Sequence, residues 1–234
     1  MKGLPKDGWI NSLYAKDAKD QGLRGFAFSR IGEGYQSYGG KGQPNTAWAE
    51  HRSTVQFTGD ANLSWEMLAF EIKYTILVAN IGMPYITHDL CSFNKDSLKD
   101  DEYMRHIQFG TFQSIFRLHS DHGIRLPWNY PNVKNHAQDF MRLRHSLAPY
   151  IYSLSYEVST GGMPLVRGMY FDYPDSPEAY LFEKQYMFGE KILISPVITP
   201  GANANTIVWF PEGTWTNFFT KEKVIGPIKK IYFK

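Results

Sequence analysis

Two carboxylates at strand ends are the first residues here that could do chemistry. Asp60 closes the run "QFTGD" and Asp89 closes "MPYITHD". Carboxylates on neighbouring strand ends suit acid/base work, because burial and mutual repulsion drive their proton affinities apart. Asp60 also has a structural reading: it stands just ahead of a long apolar run, where an aspartate can cap a helix. The other strand ends carry Arg30, His88, and Arg117 with His119. His88, Asp89 and His119 would also serve as a zinc or iron ligand set, though no HxH or HxxxH spacing accompanies them. A serine hydrolase has less support, since there is no GxSxG elbow and Ser29 precedes an arginine rather than a helix. Cys91 is the only cysteine, so no internal disulfide forms, and it reads as a small apolar packing residue.

The elements that must hold these groups alternate. A weak helical period over 10–23 leads to a short strand, 24–30. A glycine-rich loop over 31–50 follows, its five glycines matching no phosphate-binding spacing. Then come a strand at 53–60, a helix at 63–82, a strand at 83–90, a helix at 97–113 and a strand at 114–121. A long helix is predicted over 135–160, closed by Gly161 and Gly162. Such alternation predicts a parallel sheet covered by helices, with chemistry at the C-terminal strand ends. Four strands make half of an eight-stranded barrel. After Gly162 the text becomes "MPLVRGMYFDYP", "KILISPVITPG" and "NTIVWFPEGTWTNFF", strand-rich runs punctuated by Pro and Gly. The expected organisation is therefore α/β: residues 1–162 as the second half of a (β/α)8 TIM barrel, and 163–234 as the start of an antiparallel β-sandwich domain.

Bulk composition narrows the partners. With 43% hydrophobic and 21% charged residues in 234, the chain can bury a core. A net charge of +2 gives no footprint for nucleic acid, and no apolar run is long enough to cross a bilayer. Aromatics at 16% suit stacking on flat ligands such as sugar rings, and equally suit dense packing.

The strings "FSR", "FTGD", "THDLCSF", "FRLHS", "RLRHSLAPYIYSLSYEVSTGGMPLVRGMYFDYPD", "FGEKILISPV" and "WFPEGTWTNFF" occur in that order. Together they resemble glycoside hydrolase family 31, the retaining α-glucosidase and α-xylosidase family, from about Gly3 to about Thr220. The resemblance implies that Asp60 is the general acid/base and that Arg30 and His119 bind the glycone sugar. Asp89 matches the aspartate of the family's H/A-D-I-x-G-F motif, which binds sugar hydroxyls, and Phe57 and Phe93 complete the substrate-binding set. No metal and no cofactor are implied, and the partner is an oligosaccharide or α-glucoside. Departures are Phe57 where many members have Trp, Ala61 after the acid, Leu126 in "LPW" where the family has Glu, and the length of the loop between Arg30 and Asp60. The family nucleophile is an aspartate at the end of the fourth strand, ahead of the helix that leads to "FSR". It is expected upstream of Met1, with the N-terminal half of the barrel, because Asp7 in "KDGW" stands in the wrong context to replace it. The chain is thus expected to carry the acid/base half of a double-displacement site and to be inactive alone. The alternative is an inactive fragment or pseudoenzyme that binds carbohydrate without cleaving it.

Overall fold

The computed structural model describes residues 6–29, 54–62, 64–201 and 204–233; Arg30 lies outside them. Helix α1 (Lys6–Asp20) leads into strand β1 (Ala27–Ser29). Strands β2 (Thr54–Phe57) and β3 (Ile86–Thr87) follow, and the three pair in parallel in the order β1-β2-β3. Their register sets Phe28 against Val55 and Phe57 against Thr87. The strand predicted over 114–121 shrinks to one parallel bridge, Leu90 to Leu118, reinforced by Leu90 N–H donating to Arg117 O at 3.2 Å. That bridge extends the parallel order by one position and fixes where Arg117 meets the sheet.

Helix α2 (Trp65–Val78) crosses from β2 to β3. It begins at Ser64, whose Oγ accepts from Met67 N at 3.0 Å. Its buried side chains include Leu68, Ile72, Thr75 and Ile76, a spacing that puts one stripe on the sheet. Helix α3 (Asp100–Thr111) opens with Asp100, Asp101 and Glu102, acids that the positive helix start favours, and Glu102 accepts from Lys99 N. Its last carbonyls and those just beyond are collected by Arg144, which donates to Thr111 O, Gln113 O and Ser114 O.

The single helix predicted over 135–160 is two, α4 (Lys134–Ser146) and α5 (Ala148–Gly161). Pro149 stands in the first turn of α5, where its missing N–H is tolerated, and it cannot continue the ladder of α4. Beyond α5 the sheets turn antiparallel. Strands β4 (Val166–Gly168), β5 (Tyr186–Phe188) and β6 (Ile192–Ile194) form one sheet. The one-turn helix α6 (Glu178–Leu181) lies between β4 and β5, and β7 (Asn205–Thr216) with β8 (Lys223–Phe233) form a long hairpin.

One apolar cluster joins both parts. Leu68, Ile72, Leu90 and Ile107 from the parallel part share it with Val166, Tyr186 and Phe188 from the antiparallel part. Each such fully buried side chain contributes about 1.5–3 kcal/mol. Polar ties reinforce the join: Gln113 Nε2 donates to Tyr186 Oη at 3.1 Å, and Tyr150 Oη donates to Phe188 O at 2.9 Å.

After Leu118 the chain doubles back over the loop that follows β3. The close passage is made at Gly123, with φ +71°, where a Cβ would stand 2.0 Å from Asp96 O. Gly123→Ala combines a left-handed backbone with a backbone clash, and neither can be relieved by moving a side chain. A loss of about 2–4 kcal/mol is expected, read as a lower urea midpoint at unchanged m-value.

Candidate active site

The turns after β2 and β3 are bound to each other. Phe93 N and Ser92 Oγ both donate to Ala61 O, at 3.2 and 3.1 Å, and Asn94 Nδ2 donates to Asp60 O at 2.9 Å. Asp60 is half-buried at this seam, preceded by Gly59 at φ +79°. The cap of α2 is supplied by Ser64, so the capping role that Asp60 could have played is filled by another residue. Asp89 is fully buried one strand away, and its charge couples to those of Asp60, His119 and Arg117.

Arg117 pairs with Asp89 Oδ1. Its guanidinium also lies 5.0 Å from the Phe28 ring centre and 5.1 Å from that of Phe57, and these two rings stack at 4.6 Å. Phe57 therefore serves as a platform for Arg117. Cation–π attraction of this kind holds an arginine in one rotamer by about 0.5–2 kcal/mol. His119, two residues on and exposed, stacks on Phe93 at 5.2 Å. Of the residues expected at the site, Asp60, Asp89, His119, Phe57 and Phe93 gather at these turns, and Arg30 lies outside the described residues. Sequence reading placed Arg117 at a strand end but gave it no role. Its signal was the spacing in "FRLHS": residues 117 and 119 are two apart in an extended segment and so share a face.

His88 does not join the cluster as a ligand. Thr75 Oγ1 donates to Glu71 O at 2.8 Å, so towards His88 Nε2, at 2.7 Å, it must accept. The ring proton is therefore on Nε2, and Nδ1 accepts from Thr58 Oγ1 at 2.8 Å. Both nitrogens are engaged, and burial, aided by His106 and Arg117, lowers the His88 pKa to about 3. The metal reading of His88, Asp89 and His119 fails on this geometry. No group of three or more His, Cys, Asp or Glu side chains among the described residues is arranged to hold an ion.

Behind the site, Cys91 and Ser92 adopt φ +70° and +67°, a left-handed pair costly for side chains with a Cβ. Arg125 holds this turn by donating from Nε and Nη2 to Ser92 O, at 3.2 and 3.1 Å, and from Nη2 to Lys95 O. Cys91 is fully buried, and burial raises its thiol pKa, in keeping with a packing role. Deeper still, Glu71 and His106 face each other at 3.9 Å. Burial, then the Asp89 charge, raises the Glu71 pKa well above the ordinary range, while burial lowers His106 to about 3, so the site disfavours charge on both.

Acids gathered beyond parallel strands that alternate with helices form the layout of a (β/α)-barrel enzyme. Two family models match the chain: the glycosyl hydrolases family 31 TIM-barrel domain over residues 45–154, and the glycosyl hydrolase family 31 C-terminal domain over 162–233. A probable alpha-glucosidase of Oryza sativa subsp. japonica is 32% identical over 216 residues, covering 91% of this chain and 23% of the relative. An alpha-xylosidase of Saccharolobus solfataricus is 31% identical over 185 residues, covering 77% and 25%. Among solved structures, a cycloalternan-degrading enzyme from Trueperella pyogenes in complex with isomaltose superposes with a TM-score of 0.82 at 25% identity, covering 94% of this chain and 31% of that one. The chain belongs to glycoside hydrolase family 31. It spans about a quarter of the length of these two curated relatives.

Burial, partly offset by Arg117 and His119, raises Asp89 from 3.8 to about 6. A carboxyl raised in the folded state stabilises the fold when protonated. Its contribution is full below about pH 4 and is lost as pH rises towards 6. Asp89→Asn cannot ionise and should lack this loss. The wild-type stability minus that of Asp89→Asn is expected to fall by about 1 kcal/mol or more between pH 4 and 6, measured from urea midpoints at each pH.

Proposed function

We propose that this chain supplies the acid/base side of a retaining α-glycosidase site. The observation that carries the proposal is the seam between the β2 and β3 turns, which holds Asp60 beside the buried Asp89–Arg117 pair while Ser64 relieves Asp60 of the capping role. In this reading residues 1–162 are the second half of a (β/α)8 barrel and 163–234 begin a β-sandwich.

The substrate is an α-glucoside or α-xyloside, as the names of the rice and Saccharolobus relatives suggest. Asp60, protonated, gives its proton to the leaving oxygen while a second carboxylate attacks the anomeric carbon. Asp60 then takes a proton from water, which releases the sugar with retained configuration. Retention needs the attacking carboxylate about 5–5.5 Å from Asp60. Asp89 is held by Arg117 and suited to accepting sugar hydroxyls, so the reading assigns the attack to a carboxylate outside the chain. His119, stacked on Phe93, and Arg30 bind the glycone, with Phe57 supporting Arg117 beneath it.

The test pairs the 234-residue chain with the first half of the barrel from the rice relative, supplied by co-expression. Turnover of p-nitrophenyl α-glucoside or α-xyloside is expected from the pair and not from the chain alone. In the pair, Asp60→Asn should lower kcat by several orders of magnitude on substrates with poor leaving groups and by less on glycosyl fluorides. Azide should partly restore deglycosylation, giving the α-glycosyl azide. Full activity in Asp60→Asn, or cleavage by the chain alone that vanishes in Asp89→Ala, would reassign the roles.

A further inference from the structure

Ser92, in the turn after β3, is bound at each of its polar atoms. Its N–H donates to Asp89 O at 3.0 Å, its carbonyl accepts from Arg125 Nε and Nη2, and its Oγ donates to Ala61 O at 3.1 Å. The residue is 2% exposed, so bulk water does not compete for that hydroxyl. Its backbone stands at φ +67°, directly after Cys91 at +70°. A Cβ is penalised in this region and glycine is not, and the motif H/A-D-I-x-G-F has glycine at the position of Ser92. The chain thus carries a side chain where the backbone would be easier without one.

What that side chain reaches accounts for it. Ala61 follows Asp60 directly and is fully buried. With no polar side chain of its own, Ala61 is held through its backbone. Its carbonyl takes two donors from one short stretch, Phe93 N at 3.2 Å and Ser92 Oγ at 3.1 Å. Glycine at 92 could offer only the first. On the other side of Asp60, Gly59 at φ +79° is the residue type with the greatest backbone freedom. A second bond on Ala61 O therefore restrains the acid/base turn from the one side that has a rigid neighbour.

We propose that Ser92 is a positioning residue for Asp60: its hydroxyl, standing where the motif has glycine, locks the turn that carries the acid/base to the turn that carries Asp89. This role depends on the reading of Asp60 as the acid/base. Ser92 touches no substrate and acts through Ala61.

Two variants separate the bond from the strain. Ser92→Ala removes the hydroxyl and keeps a Cβ at φ +67°, whereas Ser92→Gly removes both. In the 234-residue chain, exchange of the Phe93 amide with deuterium should speed up about fivefold or more in both. The urea midpoint should be higher in Ser92→Gly than in Ser92→Ala. In the co-expressed pair, kcat/KM reports glycosylation, and it is measured on an alkyl glycoside and on a glycosyl fluoride of the sugar the pair cleaves. The alkyl glycoside needs a well-placed proton donor, so both variants should lose about tenfold on it. The fluoride needs little protonation and should change by less than about twofold. Loss of folded enzyme would lower both substrates alike. A uniform fall on the two substrates, no change on either, an unaltered Phe93 exchange rate, or a midpoint no higher in Ser92→Gly than in Ser92→Ala overturns the proposal. Asp60→Asn, run beside them, tells the two failures apart. If Asp60→Asn keeps the wild-type ratio of alkyl glycoside to fluoride, the acid/base reading is lost and the role of Ser92 with it. If Asp60→Asn loses that ratio while both Ser92 variants keep it, only the role of Ser92 is overturned.

Discussion

The separation of Asp60 from Asp89 is set by backbone. Ala61 O accepts two bonds from the β3 turn, and Asp60 O accepts a third from Asn94. The chain that makes these bonds passes through two consecutive left-handed residues after Asp89, Cys91 and Ser92. Strain of this kind persists only where the surroundings over-determine it. Here Arg125 clamps the carbonyl of Ser92, the Oγ of the same residue reaches Ala61, and Tyr103 Oη holds Arg125 O at 3.0 Å. Remove any of these and the two turns would be free to drift apart.

Charge in the site is arranged in depth. The outermost cation is Arg117, steered by two phenylalanine rings onto Asp89. Beneath Asp89, His88 and His106 lose affinity for protons and Glu71 gains it, while the Arg125 guanidinium is engaged by the carbonyls of Ser92 and Lys95. Burying charge without a partner costs several kcal/mol, so the buried groups that lack an ion partner, His88, His106 and Glu71, are each driven towards the neutral form.

Much of this was legible in the sequence, for physical reasons. Alternating apolar runs ended by Asp60, His88-Asp89 and Arg117-His119 announced parallel strands with a polar edge, and those residues do meet. Other parts were hidden. The strand at 114–121 is apolar enough to pair but does so only at Leu118, because the chain turns back through Gly123 over Asp96. The break between α4 and α5 was carried by Pro149, whose effect on the previous turn a periodicity count ignores. Ser92 occupies the position where the family motif has glycine, and nothing in its identity signals φ +67°. The role of His88 depends on two threonines, one 30 residues before it and one 13 before it, that no local pattern connects.

Those threonines give the hydrogen bonds around His88 a direction. Thr58 donates to the ring, the ring donates to Thr75, and Thr75 donates to a helical carbonyl, Glu71 O, that has no proton to return. Passing a proton along this line would mean rotating both hydroxyls and breaking the bond into α2. The line therefore works as a brace, tying the segments that follow β2 and β3 to the interior of α2.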